Sequence, residues 1–256
     1  MIKPWLRFFR VVNLPTVPGD VLAGASAVVY WTVNARRTVP YDVSAGLRLV
    51  AFAALASVFM YMFGLADNDI VGAKKDADRP IPNGEISLGA ARLARGLCLF
   101  AVMIVGALGN LPPAWWVVSL ALAVMVVVYN RTKLNLAMGL CRGLNALCGV
   151  AALMVSTAMR NDMPVGTCED IFVSAVAWVP VFLVWTIYIA FVTWYSTGEE
   201  LDQEKKRRVG FLIGAVIYLQ LIALLIFRVE PLLLTGAALL VALRLMKRFL
   251  PEVSAS

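Results

Sequence analysis

The chain has 256 residues, of which 61% are apolar and 15% charged, and its mean hydropathy is +0.81. Such values exclude a soluble globular domain and describe a polytopic membrane protein. The formal net charge is +7 and there is no histidine, which excludes imidazole catalysis, haem ligation by histidine and most zinc chemistry.

Apolar runs long enough to cross a hydrocarbon core of ~30 Å as helix are predicted at 17–33, 46–66, 93–111, 114–128, 136–156, 171–195, 209–227 and 232–245. The expected fold class is therefore all-α, a single polytopic bundle of about eight transmembrane helices. The basic start and the small residues Ala23-Gly24-Ala25-Ser26-Ala27 have the look of a secretory signal. Seven further spans already demand insertion, so the first run is read as part of the bundle.

Lys and Arg are distributed unevenly between alternate loops. With the N-terminus on the cytoplasmic side, the inner segments hold 18 of the 23 basic residues; only Arg36, Arg37, Arg48, Arg160 and Arg228 fall outside. That asymmetry sets orientation, and the basic face is read as meeting anionic lipid rather than nucleic acid. Cys98, Cys141, Cys148 and Cys168 show no CxxC spacing, so neither a disulfide framework nor a thiolate metal site is expected. The glycines at 64, 106, 139, 143 and 149 are read as sites of close helix packing.

Two inner loops differ from the others by mixing acids with bases. One runs from Asn68 and Asp69 through Lys74, Lys75, Asp76 and Asp78 to Arg79-Pro80-Ile81-Pro82-Asn83-Gly84; the other is Glu199-Glu200-Leu201-Asp202-Gln203-Glu204 followed by four basic residues. Each follows the second helix of a four-helix unit, which predicts two similar halves, about 1–130 and 131–250, sharing a site. Carboxylates from two loops at one membrane face suit Mg²⁺, which bridges a few carboxylates to substrate phosphates. Neighbouring Lys and Arg would grip those phosphates, and a diphosphate leaving group needs that arrangement as charge builds on its bridging oxygen. Asp69 and Asp76 are seven apart, and so share a face if their helix continues through both. The rigid turn at 79–84 would hold Arg79 toward the same spot. A solvated, self-paired surface loop is the plainer reading of the second acidic segment.

These residues resemble the UbiA family of intramembrane prenyltransferases, whose first motif is NDxxDxxxD followed by RPIPSG. Asn68-Asp69-x-x-Gly72-x-x-x-Asp76 matches with glycine at the middle acid, and Arg79 to Gly84 matches closely after a shortened spacer. The opening Arg10-Val11-Val12-Asn13-Leu14-Pro15-Thr16, the turn Tyr129-Asn130-Arg131-Thr132-Lys133, and Arg142 with Asn145 are similar to further family segments. The resemblance implies helices around a central cavity open to lipid, and transfer of a prenyl group from an isoprenoid diphosphate to an acceptor of unknown identity. It implies Mg²⁺ bound by Asn68, Asp69 and Asp76, with Glu199 and Asp202 standing for the second acidic motif, or Glu200 and Glu204 in another register. Asp69, Asp76, Tyr129 and Lys133 would be catalytic; Asn13, Asn68, Arg79, Arg142 and Asn145 would bind substrate.

Two other functions are consistent with the residues: a non-catalytic homologue that binds an isoprenoid lipid, and a secondary transporter. Transporters place ionisable groups near mid-membrane, whereas these acids cluster at one face. Within the helices, an unpaired charge inside the bilayer is costly, so Asp20 is expected either at the interface, the favoured reading, or turned inward toward the cavity. Arg142 and Asn145 suit either a phosphate contact or a buried bond between helices.

Overall fold

A computed structural model describes residues 2–35, 43–73, 79–159, 168–196 and 203–226. They form α1 (Ile2–Phe8), a 3₁₀ turn (Val11–Asn13), α2 (Thr16–Ala35), α3 (Val43–Val71), α4 (Leu88–Leu108), α5 (Pro113–Thr132), α6 (Asn135–Met159), α7 (Cys168–Ser196) and α8 (Gln203–Ile226). No strand occurs among the described residues, so the fold is all-α. Seven of the eight predicted spans fall on α2 to α8; the run at 232–245 lies outside the described residues. Among the described residues five helices, α3 to α7, are long and apolar enough to cross a membrane, and the chain is a multi-pass membrane protein.

The distribution of apolar residues fits a bundle wetted by lipid. On α4, Leu93, Leu97, Phe100, Ile104 and Leu108 are exposed, while Ala91, Cys98, Val102 and Val105 are buried. Both stripes follow the 3.6-residue period; in a bilayer the outer one meets acyl chains instead of water. The helix ends carry ordinary local signals. Ser87 caps α4 by accepting from Ala90 N–H at 3.2 Å, Pro113 opens α5, and Lys133 closes α5 in the left-handed region at φ 56°.

Helix α6 is the hub, packing on α2, α3, α5 and α7. Its glycines make that possible, as expected for small residues between membrane helices. A Cβ at Gly149 would lie 1.9 Å from the Val21 carbonyl oxygen of α2, and one at Gly139 would lie 2.2 Å from the Thr186 carbonyl oxygen of α7. From the other side, Gly24 of α2 meets the Ala146 carbonyl oxygen.

Helix α1 was not among the expected elements, because seven residues are too few to show a period. Its aromatic side packs in a small cluster where Phe8 and Ala66 meet Ile86 and Ala91, with Trp5, Phe9 and Ile81 around them. Arg7 donates to both carboxylate oxygens of Glu85 at 3.0 Å. The N-terminal segment is thereby fastened to the turn before α4, beside the end of α3.

Candidate functional site

The end of α3 carries three consecutive polar residues, Asp67, Asn68 and Asp69, and each serves a different neighbour. Asp67 is 1% exposed; it accepts from Arg95 of α4 at 2.9 Å and from Asn130 of α5 at 2.9 Å, and Asn130 also donates to the Gly64 carbonyl oxygen at 3.0 Å. Asp67 and Asn130, both buried, tie α3, α4 and α5 together. Asp69 is also buried and accepts from Arg79 at 2.7 Å, with Arg10 3.7 Å away. Asn68 accepts from Lys133, whose ammonium also lies 5.3 Å from the centre of the Tyr129 ring, within reach of a cation–π attraction.

The turn at 79–84 does hold Arg79 against Asp69. Its backbone is closed by Asn83 N–H donating to the Arg79 carbonyl at 3.2 Å and Gly84 N–H to that of Ile81 at 3.1 Å. Gly84 takes φ 79°, a conformation that glycine adopts without strain. By contrast, α3 ends at Val71, so no continuous helix sets Asp69 and Asp76 on one face. Asp76, Glu199 and Asp202 lie outside the described residues.

Beside this polar cluster is a cavity of about 130 Å³ between α2, α3, α5 and α6. Arg10, Asn68, Tyr129, Arg142 and Asn145 line it, together with apolar residues such as Met60 and Leu122. Asp69, Arg79 and Lys133 adjoin it through their contacts with Arg10 and Asn68. Asn13 ends the 3₁₀ turn, where its carbonyl accepts from the Thr16 hydroxyl at 2.8 Å, and is not among the cavity-lining residues.

Arg10 was legible only as part of a motif and not as a site residue. The structure gives it φ 40°, a left-handed backbone between α1 and α2, which is unusual for a residue with a side chain and often accompanies a functional position. Asp67 was missed altogether, although its place next to Asn68 and Asp69 was a usable signal.

Asp20 departs most from expectation. It is completely buried inside the bundle, turned inward rather than outward. One oxygen accepts from Trp185 of α7 and Gln220 of α8, each at 2.7 Å; the other faces Arg142 Nε and Asn145 Nδ2 of α6, each at 3.1 Å. A charge that would be prohibitive alone in a bilayer is kept by one cation and three neutral donors. Arg142 and Asn145 thus serve as inter-helix bonds and as cavity wall together. Cys98, Cys141 and Cys148 are buried free thiols.

The donor chemistry fits a hard cation. Mg²⁺ commonly takes one or two protein carboxylates, the remaining positions going to water and substrate phosphate; Asp69 and Asn68 carry oxygens of that kind, which in this structure accept from Arg79 and Lys133. Among the described residues no three acidic, cysteine or histidine side chains come together, so these residues do not form an all-protein cage.

A helical bundle with a cavity between apolar spans places the chain among multi-pass helical membrane proteins. Within that class the fold is the one seen in UbiA-type proteins. A UbiA homologue from Archaeoglobus fulgidus, bound to DMAPP and Mg²⁺, superposes with a TM-score of 0.53 at 15% identity, covering 97% of this chain and 87% of that one. A digeranylgeranylglyceryl phosphate synthase structure is 16% identical, covering 99% of this chain and 90% of that one, with a TM-score of 0.49. No family model and no curated protein matches the sequence.

Proposed function

We propose that this chain is a membrane-embedded prenyltransferase that moves an isoprenoid group from an allylic diphosphate to a small acceptor. The observation that carries the reading is the cluster of Arg10, Arg79 and Lys133 around Asp69 and Asn68 at an otherwise largely apolar cavity in a UbiA fold. Guanidinium forks suit the oxygens of a diphosphate, and an ammonium beside them adds to its attraction. The apolar wall would take the prenyl tail.

In this reading the allylic carbon–oxygen bond breaks with its electron pair leaving on the diphosphate, where Arg10, Arg79 and Lys133 stabilise the growing charge. The face of Tyr129, at the cavity wall, favours the allylic cation electrostatically, and the apolar surroundings keep water from it. The acceptor then gives an electron pair to that carbon and its proton to the departing diphosphate. Mg²⁺, held by Asp69 and Asn68 with Asp76, and by Glu199 and Asp202 from the second acidic segment, would supply further charge neutralisation when bound. The two halves of the chain meet at this cavity in the proposed site, α2, α3 and α5 supplying one wall and α6 the other. The N-terminus and both acidic loops face the cytoplasm, the membrane being the inner or plasma membrane if the cell is bacterial.

One observation favours a second reading, an isoprenoid-diphosphate binder without transfer: Gly72 stands where a second carboxylate would be, and Asp69 is engaged by arginine. One experiment separates them. Purified protein in lipid is given labelled allylic diphosphates of several lengths, Mg²⁺ and a panel of acceptors, with Asp69→Asn as control. Metal-dependent product, falling at least about 100-fold in the control, supports the enzyme; saturable diphosphate binding without product across the panel supports the binder.

A further inference from the structure

Arg142 lines the cavity from α6 and keeps 11% of its side-chain surface exposed. Its guanidinium is held by one edge. Nε stands 3.1 Å from Asp20 Oδ2, and Nη2 donates to the Thr16 carbonyl oxygen at 3.4 Å; Nε–H and one Nη2–H lie side by side on the planar group, so both contacts use the same fork. Asp20 is fixed in turn, because Trp185 and Gln220 from two further helices donate to its other oxygen, each at 2.7 Å. The remaining N–H groups are those of the other edge. Among the described residues Nη1 has no hydrogen-bond partner, and it is not one of the enclosed polar atoms. An open, rigidly backed guanidinium edge is thus part of a cavity wall.

This edge is separate from the cations that hold the proposed diphosphate. Among the described residues the polar partners of Arg142 are Asp20 and Thr16, whereas Arg10 and Arg79 stand with Asp69, and Lys133 with Asn68. Helix α6 starts at Asn135, just past Lys133, and Arg142 is seven residues along it, about 10 Å further from that end. The charge of Arg142 is already met by Asp20 while its outer N–H groups are not. An anion at the free edge would face Asp20 across one guanidinium with no second cation to balance it. A neutral oxygen would take those N–H groups as charge-assisted hydrogen bonds without adding charge.

We propose that the outer edge of Arg142 binds the acceptor substrate through a neutral oxygen that accepts hydrogen bonds, as the carbonyl of a ketone or quinone does. The proposal rests on the prenyl-transfer reading above and gives the acceptor its polar handle.

The test is binding, which needs no turnover. 4-Methylacetophenone, its isostere 4-isopropenyltoluene, in which a methylene group replaces the carbonyl oxygen, and 4-methylbenzoate are titrated into the protein in nanodiscs, with empty nanodiscs as background. After correction for partition into lipid, the ketone should bind at least about tenfold more tightly than the hydrocarbon. The infrared stretch of an isotope-labelled carbonyl should move below its frequency in empty nanodiscs. In Arg142→Lys, which keeps a cation for Asp20 but has no second edge, the ketone should lose about tenfold while the hydrocarbon changes by less than about threefold. Equal losses for both probes would mean a merely structural role and overturn the proposal. If Arg142→Lys does not fold, the unmodified protein decides: a ketone that binds no better than the hydrocarbon, or an unshifted carbonyl, overturns it. Binding of 4-methylbenzoate as tight as that of the ketone overturns the neutral class, and displacement of the ketone by inorganic diphosphate with Mg²⁺ would give this edge to the donor instead. Ketone binding that depends on Arg142, without prenyl transfer to any acceptor, counts against the enzymatic reading alone, so the two failures are distinct.

Discussion

Arg79 shows how one side chain can be prepared for two partners. It donates to Asp69 at 2.7 Å and is part-exposed at 28%, and in the proposed site its planar guanidinium would be shared between that carboxylate and a phosphate. A lysine at this position keeps the charge but has no planar fork to share between two anions. Arg79→Lys is therefore expected to weaken donor binding about tenfold while leaving the protein folded, as read by titration of a labelled allylic diphosphate and by thermal unfolding in detergent. Unaltered binding would remove Arg79 from the site. Residues of this kind were legible in the sequence because their neighbours are local: Asp69 and Arg79 are ten positions apart, and Arg79 opens a proline-stiffened turn. Asp20 was not legible. Its partners Trp185 and Gln220 lie 165 and 200 positions away, and nothing near Asp20 announces them, so the general cost of a buried charge suggested an interface where the fold supplies a cage.

At the scale of elements, composition marks where helices run and leaves open where they stop and which faces touch. The apolar runs located α2 to α8, since the period and the length of a span are both written locally. The end of α3 at Val71 was harder to place: the apolar run stops at Ala66, and the last turn is held by contacts to α4, α5 and the 79–84 turn. Close approaches are set by glycine, and two glycines of similar sequence context have opposite consequences. Gly149 meets the α2 backbone at 1.9 Å from its would-be Cβ, whereas nothing lies within 4 Å of the position at Gly96 in α4. Backbone cannot move aside as a flexible side chain can, so Gly149→Ala should part α2 from α6 and cost about 3 kcal/mol, the upper end for overpacking. Gly96→Ala should stay within about 1 kcal/mol of the parent, in the stabilising direction that helix propensity favours. Unfolding of the two variants in a common lipid–detergent mixture checks the pair; a Gly149→Ala protein as stable as Gly96→Ala would mean that α2 and α6 are not in contact.

For the whole molecule, the proposed chemistry depends on which side of the membrane the cationic cluster faces. Glu85 precedes α4, Pro113 opens α5 after it, and Lys133 ends α5, so Glu85 and Lys133 share one face and Pro113 lies on the other. The excess of Lys and Arg on the first face predicts that it is cytoplasmic, where a charged diphosphate donor would meet the cavity mouth. Cys98, Cys141 and Cys148 are buried, and Cys168→Ser removes the remaining native thiol, so an introduced cysteine can be read against a quiet background. Glu85→Cys breaks the part-exposed pair with Arg7, worth about 0–1 kcal/mol, and an exposed hydrogen bond from the Asn83 amide at 2.9 Å, and Pro113 stands at a first helical turn where proline is favoured but not required. In bacterial membrane vesicles, a membrane-impermeant maleimide should label Glu85→Cys in inside-out preparations and Pro113→Cys in right-side-out ones. The reverse pattern would put the cluster on the outer face, away from any cytoplasmic diphosphate, and would set both the prenyl-transfer reading and the diphosphate-binder reading aside together.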